Sequence, residues 1–122
     1  MLMVKNVLGG VLQTCCTDPL TGFYRDGKCN SGVDDRGRHV VCVVMTDAFL
    51  SHQASIGNDL ITPRPEWGFP GLKAGDSWCV CVEPWTKTFE AGIIAPVRLE
   101  ATHERALEVV TLEMLMKCAR VN

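Results

Sequence analysis

Two runs of the chain are almost continuously apolar, and they organise any reading of its fold. His39-Val40-Val41-Cys42-Val43-Val44-Met45 has no polar alternation and is rich in β-branched residues, which predicts a strand buried on both faces. In Ser77-Trp78-Cys79-Val80-Cys81-Val82-Glu83 the two-residue period of a strand sets Cys79 and Cys81 on one face and Trp78, Val80 and Val82 on the other. Helix signals follow both runs. Thr46 is an N-cap, Asp47 suits the helix dipole, Phe49 and Leu50 can pack and Gly57 is a stop, giving a helix over 47–55. Pro84 suits the first turn of a helix that carries Trp85, Thr88 and Phe89 and ends at Gly92. Val97-Arg98-Leu99-Glu100-Ala101 alternates like a half-exposed third strand. Thr102 reads as the cap of a helix from His103 to about Val110, and Thr111 as the cap of another through Arg120.

The intervening stretches carry neither period. Residues 13–38 are dense in turn formers, among them Asp18-Pro19, Asp26-Gly27, Asn30-Ser31-Gly32 and Asp34-Asp35. Residues 57–76 hold three prolines and frequent glycines, yet also Trp67, Phe69 and Leu72. That much apolar surface argues for an ordered loop packed on the core, and ordered loops of this length are usually functional. The expectation is one α+β domain over 1–122: a small sheet of about three strands, a helix after each strand and two long ordered loops. Residues 1–5 are expected to be a loosely ordered N-terminus.

Composition narrows the function classes. With 122 residues, 47% hydrophobic and 21% charged, the chain has the make-up of an ordinary globule with a core of its own. Net charge is −2 and the twelve Lys and Arg are scattered, so no basic stripe is available for nucleic acid. No apolar run approaches the ~20 residues that span a bilayer, and the N-terminus lacks the sustained apolar segment of a signal peptide. The reading is therefore cytoplasmic, with neither a nucleic-acid nor a membrane partner. In that compartment thiols stay reduced, and seven cysteines leave at least one unpaired within the chain.

Cys79 and Cys81 are about 6.6 Å apart if the strand rises ~3.3 Å per residue, too far and too parallel for a disulfide. Zinc ligation is less strict, since thiolates in a tetrahedral site lie roughly 3.8 Å apart. If the two strands pair, Cys42 can share that face, with Cys29, Cys15, Cys16 or His103 as a fourth group. Packing is the alternative, because free cysteine behaves as a small core hydrophobe. A bridge between the vicinal Cys15 and Cys16 would be strained; one buried and one exposed thiol is expected there. His103 at a helix start suits a base, a metal ligand or a simple cap, and His39 and His52 are weaker candidates. Asp18, Asp26, Asp34 and Asp35 do not match a calcium-loop spacing and read as turn residues. Phosphate-loop and serine-hydrolase motifs are absent from the sequence.

Asn6-Val7-Leu8-Gly9-Gly10, Asp18-Pro19-Leu20-Thr21-Gly22-Phe23-Tyr24-Arg25-Asp26-Gly27, Pro63-Arg64-Pro65-Glu66, Phe69-Pro70-Gly71-Leu72-Lys73, Gly75-Asp76-Ser77-Trp78-Cys79-Val80-Cys81 and Ala101-Thr102-His103-Glu104 together resemble the small, mostly bacterial proteins grouped as domain of unknown function 2237. The resemblance runs over roughly 6–122. It implies no activity, because the family has no established one. It does imply that Cys29, Cys42, Cys79, Cys81, Thr102 and His103 stand where the family pattern carries the same residue types. The chain departs at Trp67, Ala74 and Ser77, where the pattern usually has Tyr, Pro and Arg. An anion site built on an arginine at position 77 does not carry over, while Arg25 and Arg64 remain able to hold a carboxylate or phosphate bidentately.

The leading reading is a small cytosolic binding module. Its pocket would form from the two loops near Cys79, Cys81 and His103 and hold a metal ion, zinc included, or a small anionic ligand. The metal candidates are Cys29, Cys42, Cys79, Cys81 and His103; the ligand-binding candidates are Arg25, Arg64, Trp67 and Thr102. A cysteine-dependent enzyme is the rival, with Cys79 or Cys81 as thiolate and His103 as base, and would need a depressed thiol pKa. The third reading is a structural or interaction protein with an inert cysteine core, which exposed Trp67 and Phe69 would favour.

Overall fold

The computed structural model describes residues 3–119. Strands β1 (His39–Val44) and β2 (Ser77–Cys81) pair antiparallel, with Cys42 opposite Cys79, Val43 opposite Trp78 and Val41 opposite Val80. The register shifts between His39 and Val41, after which His39 faces Cys81. Val40 to Val43 are all fully buried, as the unbroken β-branched run requires. One sheet face packs Val41, Val43, Trp78 and Val80 into the main core with Phe49, Trp85, Val97 and Leu115. The other carries Cys42 and Cys79 into a smaller cluster with Cys15, Cys29 and Ala101.

Helix α1 (Asp47–Ser55) starts where Thr46 Oγ1 accepts the Phe49 N–H at 3.1 Å. Helix α2 (Val82–Glu90) buries Val82, Trp85 and Thr88, with Trp85 stacked on Phe89 at 5.3 Å. A buried polar contact joins the two helices: Gln53 Nε2 donates to Pro84 O and to Thr88 Oγ1, and its Oε1 accepts from Asn58. Fully buried, Gln53 is tolerated because each end of its amide has a partner. His52 shares a 2.7 Å hydrogen bond with the same Thr88 hydroxyl.

The third expected strand does not form. Among the described residues the sheet has two strands, and Val97 makes only isolated bridges to Val43 and Ala119. Arg98 N still donates to Cys42 O at 2.9 Å, but Leu99–Ala101 then closes into a 3-10 turn. Thr102 Oγ1 donates to Arg98 O and accepts from Cys42 N, so the chain curls under the strand edge instead of running along it. The expected helix from His103 is a 3-10 segment, Glu104–Glu108, and α3 spans Leu112–Met116 behind its Thr111 cap. Arg120, its expected end, lies outside the described residues, as do Met1 and Leu2 of the N-terminal stretch; Lys5 already pairs with Val11.

Residues 13–38 contain no helix or strand, and 57–76 hold only the 3-10 turn Pro65–Trp67. Leu60, Phe69 and Leu72 nevertheless reach the main core, so the second loop is packed, as its apolar content requires. Among the described residues no helix is long and apolar enough to cross a membrane. Gly22 is the tightest point of the first loop: φ is +103°, and a Cβ there would collide with the carbonyl oxygen of Lys28. Gly75 has a similar φ of +95° with open space around it. Gly75→Ala should therefore cost only the left-handed backbone penalty, about 1–2 kcal/mol, and Gly22→Ala clearly more; urea midpoints of the two variants measure the difference.

Candidate functional site

Cys42 and Cys79 face each other across the strands, so their side chains emerge side by side on the smaller core face. The 13–38 loop brings one cysteine to each. Disulfides join Cys15 to Cys42 and Cys29 to Cys79, with Cα separations of 5.8 and 5.3 Å. All four residues are buried, Cys29 and Cys42 completely. Threonine hydroxyls satisfy the strand N–H groups there: Thr21 Oγ1 accepts from Cys79 N at 2.8 Å and Thr102 Oγ1 from Cys42 N at 3.2 Å. Thr102 is thus fully buried and committed to the backbone.

This corrects the expectation that every thiol is free. Of the metal candidates, Cys29, Cys42 and Cys79 do come together, with Cys15 rather than Cys81 or His103 as their companion. Among the described residues the only trio of close ligand atoms is Cys15, Cys29 and Cys79, within 4.8 Å of one another. Cys16 and Cys81 are half-buried free thiols and Cys118 a buried one. His103 is an N-cap whose Nδ1 accepts the Arg105 N–H at 2.9 Å. Burial lowers its pKa, with Arg105 adding to the effect and Glu104 opposing it, which suits a neutral, accepting imidazole.

A second feature lies at the end of the sheet beside the sulfur cluster, with Cys79 belonging to both. A cavity of about 330 Å³ is walled by Arg25 from the first loop, by Asn58, Asp59, Arg64 and Trp67 from the second, and by His39, Trp78 and Cys81 from the strands. Arg25 ties the loops together: Nη1 donates to Gly22 O at 2.6 Å, Nη2 donates to Trp67 O at 2.8 Å, and the guanidinium lies 5.1 Å from the Trp78 ring centre. Its Nε is buried without a partner, and its backbone is left-handed at φ 53°. Arg64 lies 5.8 Å from the Trp67 ring centre. Neither arginine is in a salt bridge among the described residues. Asp59, the carboxylate on the wall, is occupied by the N–H groups of Ile61 and Thr62. Trp67 is exposed and Phe69 buried, so the two aromatics do not form one surface patch.

His39 is held from below by Asp35, a fully buried carboxylate. Asp35 accepts from Ser31 Oγ and His39 N, both at 2.9 Å, and shares a 2.6 Å hydrogen bond with His39 Nδ1. Burial alone would raise the Asp35 pKa, but the hydrogen bonds from His39 and Ser31 outweigh it and the net shift is downward. An ionised Asp35 requires Nδ1 to donate, leaving Nε2 of a neutral His39 as acceptor. Cys81 is the cross-strand partner of His39, and Gly37 makes room for both. A Cβ at position 37 would sit 3.0 Å from the Cys81 sulfur and 3.4 Å from His39 Cε1. Burial, with Asp35 and Glu83 adding, pushes the Cys81 thiol up to about 11. The Cys79 sulfur is held in a disulfide, so neither thiol named for catalysis rests as a thiolate at neutral pH. Sequence reasoning passed over Asp35 as a turn residue and His39 as a strand entrance; their four-residue spacing across Gly37 was the available signal.

These shifts fix a pH profile. The folded pKa of Asp35 lies below its ordinary 3.8, so its contribution to stability is present above that value and lost as pH falls through the folded value. The folded pKa of Cys81 lies above its ordinary 9.0, so its contribution is full below 9.0 and lost as pH rises toward about 11, in the same direction as the buried Cys118. Urea midpoints measured against pH should fall at both ends, and Cys81→Ser should shrink the alkaline fall. An unchanged alkaline limb in that variant would contradict the burial of this thiol.

Comparison with known proteins agrees with the sequence resemblance. No curated protein matches the chain. The family model described as "Uncharacterized protein conserved in bacteria (DUF2237)" matches residues 5–119 of the 122, and the chain belongs to that family.

Proposed function

We propose that this protein is a binding module for a small anionic ligand with a flat or apolar portion, taken up in the cavity between the two long loops. One observation carries the reading: Arg25 and Arg64, each beside a tryptophan, line one cavity, and among the described residues neither is in a salt bridge. Arg25 is partly desolvated without a counter-charge, a costly arrangement, and Arg64 stands exposed at the rim; an entering carboxylate or phosphate would supply the missing charge with charge-assisted hydrogen bonds. Arg38 is the internal contrast. It shares the left-handed backbone and the unpartnered Nε, but Glu83 at 2.9 Å and Glu108 at 3.7 Å neutralise it, and it is not on the cavity wall.

The tryptophans set the shape of the ligand. The exposed Trp67 and the edge of the buried Trp78 that reaches the wall supply apolar surface beside the charges, which favours a planar or apolar body over a bare inorganic ion. Asp59 keeps the wall from being uniformly positive and disfavours a highly charged ligand.

A thermal-shift panel of small aromatic and aliphatic carboxylates and phosphates, run on the oxidised protein, tests the proposal through the stabilisation that binding to the folded state must produce. At least one anion should raise the melting temperature, with an effect that weakens at high salt. Arg64→Gln should weaken that binding about tenfold or more, as expected for loss of a charge-assisted hydrogen bond. Arg64 is the variant of choice because Arg25 also holds two loop carbonyls. No shift with any anion, or equal binding by Arg64→Gln, would refute the proposal.

A further inference from the structure

The sulfur cluster supports a second site, adjoining the anion cavity at Cys79 but built from different ligands. We propose that, once reduced, the chain holds a zinc ion through Cys15, Cys29, Cys42 and Cys79, and that the two disulfides are the metal-free, oxidised form of the same site.

Three of the four sulfurs, those of Cys15, Cys29 and Cys79, already lie within 4.8 Å of one another, and that of Cys42 must turn in from its bond to Cys15. Four thiolates about 2.3 Å from a tetrahedral zinc lie roughly 3.8 Å apart, so opening two S–S bonds and turning the side chains reaches the ligand spacing. Cys42 and Cys79 are fixed on paired strands, while Cys15 and Cys29 come from loop positions held by neighbours. Cys15 N donates to Gly27 O at 2.8 Å, and Cys15 O accepts from Arg98 Nη1 at 2.9 Å. Arg98 N also donates to Cys42 O. Its guanidinium therefore stands at the edge of a site that would carry two net negative charges, although Glu100 at 3.4 Å shares it. Closed burial and four protein sulfurs are the marks of a structural zinc site, in contrast to a catalytic one with an open position.

The chemistry balances with a dithiol or phosphine as reductant. Each S–S bond takes two electrons and two protons to become two S–H groups: a dithiol supplies both and ends as its own disulfide, while a phosphine supplies the electrons and ends as the phosphine oxide, one water giving its oxygen and the two protons. Zinc then forms four Zn–S bonds as the four thiol protons leave to solvent. A reducing compartment such as the cytoplasm would favour the metal form and an oxidising one the disulfides.

The experiment is anaerobic reduction with a phosphine, then titration with Zn²⁺, with Co²⁺ as a spectroscopic stand-in. The reduced protein should bind one equivalent, and Co²⁺ should give the intense thiolate-to-metal and visible bands of a tetrahedral four-sulfur site. The oxidised protein should bind none. Cys42→Ser should lower the affinity at least tenfold, whereas Cys81→Ser should leave it unchanged. Circular dichroism keeps the test decisive: if the reduced apoprotein unfolds, zinc must restore the spectrum. Uptake below about a tenth of an equivalent by folded reduced protein, failure of zinc to refold an unfolded one, or loss of binding in Cys81→Ser would overturn the proposal. Because the anion panel uses oxidised protein, either result stands without the other.

Discussion

The cross-strand pair Cys42 and Cys79 is the constraint on which the rest of the molecule hangs. Two strands with one apolar face each are a marginal sheet, and a 26-residue segment without helix or strand would ordinarily pay a large entropic cost to be ordered. Bonding that segment to both strands, through Cys15 and Cys29, answers both problems. The links remove freedom from the unfolded chain and cover the second sheet face with sulfur and Ala101. Between the two attachment points the loop must turn back tightly, which is where Gly22 takes a conformation no other residue adopts without strain. Arg25, three residues on, is thereby delivered to the cavity.

The parts of this architecture readable in the sequence are those whose signals are local. The β-branched run 39–45 and the Thr46 cap each act within a few residues, and β1 and α1 stand where those signals are, whereas β2 stops at Cys81 and α2 takes Val82 and Glu83, the end of the run read as strand over 77–83. The alternation of 97–101 is just as regular, yet Val97 and Arg98 meet the edge of β1 for only two residues before the turn closed by Thr102. A period of two states what a segment could pair with; it does not supply a partner. Disulfide connectivity was hidden for a similar reason. The partners are 27 and 50 residues apart, and spacing does not determine pairing. Cys81, in phase with Cys79 along the strand, is separated from the cluster by its place at the strand end, opposite the register shift at His39. Of the ligand candidates, Arg25, Arg64 and Trp67 stand on the cavity wall and Thr102 does not. The first three belong to the loops that make the wall, while Thr102 follows the turn under β1.

The two halves of the sheet end are chemically distinct although the same loop serves both. Toward the middle of the strands the environment is buried and apolar apart from sulfur. Toward the ends, the register shift swings His39 and Cys81 out of the cluster and onto a solvent-reached wall. Charge follows the same division. The buried carboxylate of Asp35 sits behind His39, away from the two arginines, and spends its lone pairs on Ser31 and His39. Had it faced the cavity instead, it would have neutralised Arg25 as Glu83 neutralises Arg38.

That placement also decides what Cys81 can do. A thiol becomes a good nucleophile when a cation lowers its pKa, yet burial first, and then the carboxylates Asp35 and Glu83, hold Cys81 protonated. At neutral pH Cys81 is therefore a polarisable, uncharged surface beside His39, suited to contact with a ligand's apolar portion. In the anion site proposed above, Arg25 and Arg64 would supply charge and the tryptophans, with Cys81, shape.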